Sequence, residues 1–189
     1  MRAANDRTGG NKLQIPGSPI PFTMVTAEEL IEKLGLRPHK EGGYFAEVYR
    51  APEKLAADAL PPGYSGARSL STAIYYLLTP DTFSRMHRLR SDELFHFYLG
   101  DPVEFLLLGP GGKGTLPVVG TDIPKGQLPM LVVCRGTWQG ARLLKGGKFA
   151  LLGTTMAPGF EYDDFEQGRR PELVAAFPAF KKKIEELTN

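Results

Sequence analysis

Between Thr26 and Gly35 the apolar residues Leu30, Ile31 and Leu34 recur at the spacing of one helical face. Thr26 with Glu29 three residues later forms a capping-box pattern, and Gly35 is a suitable stop. The spacing therefore predicts a short N-terminal helix. After it the texture changes to short alternating or wholly apolar runs divided by Gly and Pro: GYFAEVYRA, RSLSTAIYYLLT, DELFHFYLG, PVEFLLLG, LPMLVVCRG, QGARLLKG and FALLGTTMAPG. β-branched and aromatic residues are enriched in them, and no helical period intervenes, which predicts an all-β sandwich or barrel. GPGGKG (109–114) reads as a hairpin tip without the lysine–serine pair of a phosphate loop. The stretch RPELVAAFPAFKKKIEELTN returns to helical periodicity and is broken at Pro178, giving a C-terminal helical segment whose KKK is a solvated face.

The first residues, 1–23, are polar, rich in Gly and Pro and without period. They read as a disordered arm or an appended leader, with Met24 a natural start and 24–189 a single domain. A chain of 189 residues with 42% hydrophobic and 23% charged residues is ordinary for a globular protein. The net charge of +2 supplies no field that would draw it to nucleic acid or a membrane. No apolar run is long enough to span a bilayer. Cys134 is the one cysteine, which excludes an internal disulfide and any multi-cysteine metal site and fits a cytoplasmic protein.

The chemistry-bearing stretch is FSRMHRLRSDELFHFYLG, residues 83–100. Strand alternation puts His87 and Leu89 on one face, and Glu93, Phe95 and Phe97 on one face of the next strand. An imidazole, a carboxylate and two aromatic rings facing inward would make a ligand pocket. The plainer reading is a satisfied core histidine and a salt-bridged glutamate. His96 falls on the opposite face, beside Leu94 and Tyr98, as part of a packed surface or subunit interface.

His87, Glu93 and Gly100 reproduce the spacing of the first cupin motif with Leu89 at its second histidine, and VVCRGTWQ resembles the second motif with Gln139 at the fourth ligand position. The blocks EELIEKLGLRPHKEGGYFAEVYR, RSLSTAIYYLL, SDELFHFYLGDP, RGTWQGAR and APGFEYDDFE, in order, resemble the cupin family 5 branch over Ala27–Glu166. The resemblance implies a double-stranded β-helix, the jelly-roll or cupin barrel, usually a homodimer. It implies no settled activity. Cys134 stands where members of the branch read proline.

A cupin metal site uses three imidazoles and a carboxylate, which suits iron, manganese, nickel or zinc. With Leu89 and Gln139 in two of those places, only His87, Glu93 and Gln139 remain as donors, and no tightly bound metal or other cofactor is expected. The expected function is therefore binding of a small molecule inside the barrel. If the protein is an enzyme, it is a metal-free isomerase or epimerase moving a proton on a sugar or carbonyl compound, with His87 as base and Glu93 as its orienter. A non-catalytic binding or sensing module is the alternative, and a residual metalloenzyme the third. Further candidates for the pocket are Gln139, Trp138, Phe95, Phe97, Arg68, Ser71, Tyr75, Arg85 and Tyr44, with Arg68 and Arg85 able to hold an anion or to serve in salt bridges. The acidic run FEYDDFE reads as a solvated segment without a calcium-loop pattern.

Overall fold

The Thr26 hydroxyl accepts from the Glu29 amide at 3.2 Å and the Glu29 carboxylate accepts from the Thr26 amide at 2.9 Å, so the first element begins as its sequence predicts. The structure is a computed structural model that describes residues 25–189; the expected leader 1–23 and the Met24 start lie outside the described residues. Helix α1 (Ala27–Lys33) is followed by β1 (Arg37–Pro38), β2 (Tyr44–Arg50), β3 (Lys54–Leu55), β4 (Arg68–Ser69), β5 (Thr72–Leu78), β6 (Ser84–Leu89) and β7 (Glu93–Gly100). Then come β8 (Val103–Leu108), β9 (Gly114–Thr115), β10 (Val118–Val119), β11 (Met130–Val133), β12 (Trp138–Leu143), β13 (Ala150–Met156), β14 (Phe165–Gln167), α2 (Arg170–Ala176) and α3 (Lys181–Glu186). All seven apolar runs carry a strand, and the C-terminal helix is interrupted by a 3-10 turn at Pro178–Phe180.

Two sheets face one another. The first runs β1-β2-β5-β13-β7-β11 and the second β10-β8-β12-β6-β14 with β9 paired to β8; each named pairing is antiparallel. Their inner faces meet in a core of Tyr76, Leu78, Phe95, Phe105, Val133 and Leu152 among others. Phe95 of the first sheet meets Phe105 of the second edge-on, ring centroids 4.7 Å apart, which joins the sheets at mid-barrel. The outer faces are partly covered. Helices α2 and α3 lay Leu173, Phe177, Ile184 and Leu187 over Met86, Leu106 and Leu108 of the second sheet, and α1 packs Leu30 on Leu77 and Leu151 of the first. None of these helices is long and apolar enough to cross a membrane.

A register shift between β12 and β6 sets the site. Gln139 faces His87 and Ala141 faces Ser84, so one extra residue on β6 lets Met86 point out to the helices while Ser84 and His87 are both buried. Gly140 makes room for this, because a Cβ there would sit 2.7 Å from the Met86 sulfur.

Within the acidic run, whose Asp163 and Glu166 are exposed, Asp164 alone departs from the expected solvated state. Asp164 is buried and takes two hydrogen bonds from Arg68, Nε at 2.6 Å and a terminal nitrogen at 2.9 Å. Arg68 is 3% exposed and spends further N–H groups on the carbonyls of Gly66 and Ala67. The pair ties the 161–167 segment to β4. Removing one partner of a buried ion pair strands the other charge, so Asp164→Ala should cost about 3–5 kcal/mol of stability by urea denaturation. A loss below about 1 kcal/mol, the value of an exposed pair, would show that the bridge does not fasten this segment.

Candidate functional site

The barrel interior opens at one end into a cavity of about 240 Å³, between β2, β5 and β13 of the first sheet and the ends of β6 and β7. His39, Glu41, Tyr76, Leu89, Glu93 and Phe95 are among its inner wall residues, and Arg37, Phe45, Glu47, Arg50 and Glu161 are among those that line it further out. Two of the residues with titratable side chains, His39 and Glu41, sit in a loop that sequence reasoning passed over. That loop is held by close approach of backbone. Gly42 has φ +105°, and a Cβ there would collide with the carbonyl oxygen of Phe83, so only glycine fits. The Tyr76 hydroxyl donates to the Gly42 carbonyl at 2.8 Å.

Arg85 fixes the protonation of the site through its backbone. Its amide donates to the Glu41 carbonyl at 2.8 Å, its guanidinium to the Lys40 carbonyl at 2.8 Å, and its own carbonyl lies 2.7 Å from His87 Nδ1. A carbonyl can only accept, so Nδ1 of His87 carries a proton, and in the neutral ring Nε2 presents a lone pair. That Nε2 lies 3.4 Å from Glu41 Oε2, with the His87 ring stacked on Phe165, centroids 5.4 Å apart. His39 has the opposite tautomer. Its Nδ1 accepts from the Glu41 amide at 3.3 Å, so the neutral ring carries its proton on Nε2. The His39 ring meets the edge or face of Phe45 and Tyr76, centroids 4.4 and 6.0 Å away.

Desolvation governs the charges. Burial pushes Glu41 up to about 8. Burial, with the nearby Glu41 charge adding, pushes Glu93 up to about 7 against the opposing effects of His87, Gln139 and Thr154. His87, 2% exposed, is pushed down by burial, partly offset by Glu93 and the Arg85 carbonyl. His39 is pushed down to about 4, by burial first and then by His87 and Lys40. At the inner end of the cavity burial therefore shifts two carboxyl groups up and two imidazoles down, each toward its uncharged form.

The sequence-derived candidates divide. Glu93 and Phe95 line the cavity. His87 and Gln139 stand immediately behind it: Gln139 donates through Nε2 to Glu93 at 2.7 Å, and its buried Oε1 has no partner. The others do not join it, mostly for reasons of strand parity. Tyr75 and Tyr44 point outward, Tyr75 against Tyr98 and Tyr44 into the α1 cluster. Trp138 packs outward with Arg88 over its ring at 4.5 Å. Phe97 packs against the inter-sheet core. Ser71 does not line the cavity, and its carbonyl accepts from Ala51. Arg68 is consumed by Asp164, and Arg85 clamps the Glu41 loop. Neither arginine is available to an anion. His96 is on the outer face, its Nε2 3.3 Å from the Thr155 hydroxyl. The signal for the missed residues was present in RPHKEGGYF: a histidine and a glutamate two apart, before paired glycines that force a tight loop.

The donors do not fit the metal of a three-imidazole cupin site. Leu89 contributes hydrocarbon to the wall, and Gln139 turns its amide nitrogen toward Glu93. His87 Nε2 faces Glu41, and among the described residues no group of three or more His, Cys, Asp or Glu is arranged to hold an ion.

Comparison with known proteins follows the same outline. The family described as Cupin superfamily (DUF985) matches residues 28–168. An uncharacterised protein of Saccharomyces cerevisiae is 30% identical over 175 residues, covering 86% of this chain and 87% of that protein. A crystallographic structure from Shewanella oneidensis superposes with a TM-score of 0.77 at 32% identity, covering 88% of this chain and 99% of that one. A hypothetical protein from Leishmania major gives 0.78 at 30%, covering 87% and 99%.

The shifted groups make stability depend on pH in two directions. Glu41 and Glu93 bind protons more tightly when folded, so their contribution is full below their ordinary value of 4.5 and fades as pH rises through about 7 and 8. His39 is the reverse: its contribution is full above 6.5 and lost as pH falls through about 4. Glu41→Gln should therefore flatten the decline in unfolding free energy between about pH 4.5 and 8, by up to about 1.4 kcal/mol per pH unit. An identical slope in the variant would mean that Glu41 is charged throughout.

Proposed function

From the premise that the chain belongs to the family described as Cupin superfamily (DUF985) and has the cupin jelly roll, we propose that it is a metal-independent isomerase or epimerase acting on a small carbonyl compound. The observation that carries this is the Glu41–His87 contact at 3.4 Å, with the His87 tautomer fixed by the Arg85 carbonyl, at the wall of a cavity open at one end. Such contacts are commonly long before a ligand closes them.

The roles differ from the sequence reading in one respect. Glu41 rather than His87 lines the cavity, so Glu41 is the group that exchanges a proton with the ligand, and His87 stores that proton on Nε2. Transfer from Glu41 to His87 converts a neutral pair into an ion pair without changing the net charge of the site. The resulting carboxylate removes the proton on the carbon next to the carbonyl. The neutral His39, with Nε2–H as its donor, takes the developing negative charge on the carbonyl oxygen, and the imidazolium of His87 balances the enolate. Glu93, whose carboxyl burial raises to about 7 and Gln139 holds, returns a proton to carbon or oxygen. One proton leaves carbon and one arrives, so the carbonyl compound is isomerised; His87 then releases its extra proton and Glu93 regains one by exchange with solvent through the open end of the cavity, which restores the starting state.

We also infer that two copies pair through the outer face of the first sheet. Tyr98 of β7 and Met130 and Val132 of β11 lie exposed beside His96, and Val48 and Tyr49 are exposed on β2 of the same sheet, large apolar side chains of the kind that mark association surfaces.

Two measurements check these readings. In deuterium oxide, a panel of 2-hydroxy aldehydes and ketones should acquire deuterium next to the carbonyl with the native protein. The rate should fall by about 10²–10⁴-fold in Glu41→Gln and His87→Asn variants whose circular dichroism is unchanged. No exchange on any panel member, or full exchange by Glu41→Gln, would overturn the catalytic reading; a ligand retained without exchange would favour a binding module. Light scattering should report a dimer that Val132→Glu converts to a monomer. A monomeric native protein would remove the interface.

A further inference from the structure

The outer end of the same cavity differs from the inner end in one respect: it holds a permanent cation. Arg37 and Arg50 both line it. Arg50 is saturated, with two hydrogen bonds to Glu47 at 3.0 and 2.8 Å, one to Glu161 at 2.8 Å and one to the Phe160 carbonyl at 3.2 Å. Arg37 is exposed, and among the described residues no carboxylate lies within ion-pair distance of it. Its guanidinium carbon stands 4.9 Å above the Phe45 ring, and Phe45 is a cavity wall.

That stacking has a chemical consequence. A guanidinium resting on an aromatic face uses its π surface, and the N–H donors around its edge stay free in one plane. A planar fork of donors at a cavity mouth matches two oxygens of a carboxylate or phosphate. Repulsion from the carboxyls is reduced in two ways: Glu47 and Glu161 at this end are paired with Arg50, and burial shifts Glu41 and Glu93 further inside toward their protonated forms.

We propose that Arg37 is the anchor for an oxyanion carried by the ligand, so that the ligand is a short carbonyl compound with a carboxylate or phosphate at the end away from His39 and Glu41. The assignment rests on the proton-transfer reading of the inner end. The dimensions agree. Phe45 lies between the two groups, 4.9 Å from the Arg37 carbon and 4.4 Å from the His39 centroid. A cavity of about 240 Å³ equals roughly eight water volumes and takes a compound of about ten non-hydrogen atoms. The anion would hold the reacting carbon in register with Glu41, as a positioning contact and not as part of the chemistry.

The test uses two probe pairs that differ only in the anion: 2-oxobutyrate against 2-oxobutanamide, and glyceraldehyde 3-phosphate against glyceraldehyde. Affinities are measured by ligand-observed NMR titration with the native protein, Arg37→Ala, Arg37→Lys and Glu41→Gln. One anionic probe should bind at least about ten-fold more tightly than its neutral partner, and the pair that shows this identifies carboxylate or phosphate. Arg37→Ala should erase the preference without changing affinity for the neutral probe, and Arg37→Lys should restore part of it. Glu41→Gln should keep the preference while losing deuterium exchange, so failure of the chemistry is separable from failure of the anchor. The proposal is overturned if neither pair shows an anion preference, or if the preference survives in Arg37→Ala.

Discussion

The hydrogen bond from His87 Nδ1 to the Arg85 carbonyl, 2.7 Å long, is the contact through which sheet, loop and cavity are joined. One residue supplies both backbone groups: its amide takes the Glu41 carbonyl and its carbonyl takes the His87 proton. Glu41 and His87 are thus spaced by a single peptide neighbourhood on β6 and not by side-chain packing alone. The same strand is secured from outside, where the Met86 amide donates to the Leu187 carbonyl and Met86 itself sits among the C-terminal helices. Those helices have no residue in the cavity, yet they hold the strand that sets its geometry.

The second constraint is dryness. Carboxyls and imidazoles at the closed end of a two-sheet core exchange water for hydrocarbon, and each of the four moves toward its uncharged form. The same burial opposes charge separation, so a proton passing from Glu41 to His87 forms an ion pair that the site must stabilise by contact. The loss of two ligand positions to Leu89 and Gln139 fits this state. Leucine adds to the desolvation, and the Gln139 amide orders Glu93. The cupin cavity is lined here by Glu41, Glu93 and His39, with Leu89 and Gln139 in two of the positions that resemble ligand positions.

Much of the fold was legible because period-two alternation in an antiparallel barrel is a strong signal, and runs such as TAIYYLL and ELFHFYLG carry it without ambiguity. Short strands such as β1 and β14 were not legible, since two or three residues have no period. Alternation also placed Glu93 and Phe95 correctly on the inner face. It failed for Tyr75 and Trp138, which share segments with inward residues but have the opposite parity, and for Arg68, whose partner Asp164 is 96 residues away. The His39–Glu41 loop was missed for another reason: its position depends on paired glycines packing against β5 and on Arg85, which are tertiary contacts that no local pattern encodes. Asp164, read as solvated from the density of charge around it, is buried because one arginine reaches it.

The tautomers of the histidines bear most directly on whether the site works as a proton-exchanging pair. Nitrogen-15 correlation spectra of the three imidazoles near pH 7 resolve them. His87 should be neutral and protonated on Nδ1, with His39 neutral and protonated on Nε2, both persisting from pH 6 to 8. His87 protonated on Nε2, or charged throughout that range, would leave Glu41 without an acceptor for its proton and contradict the assignment of this pair.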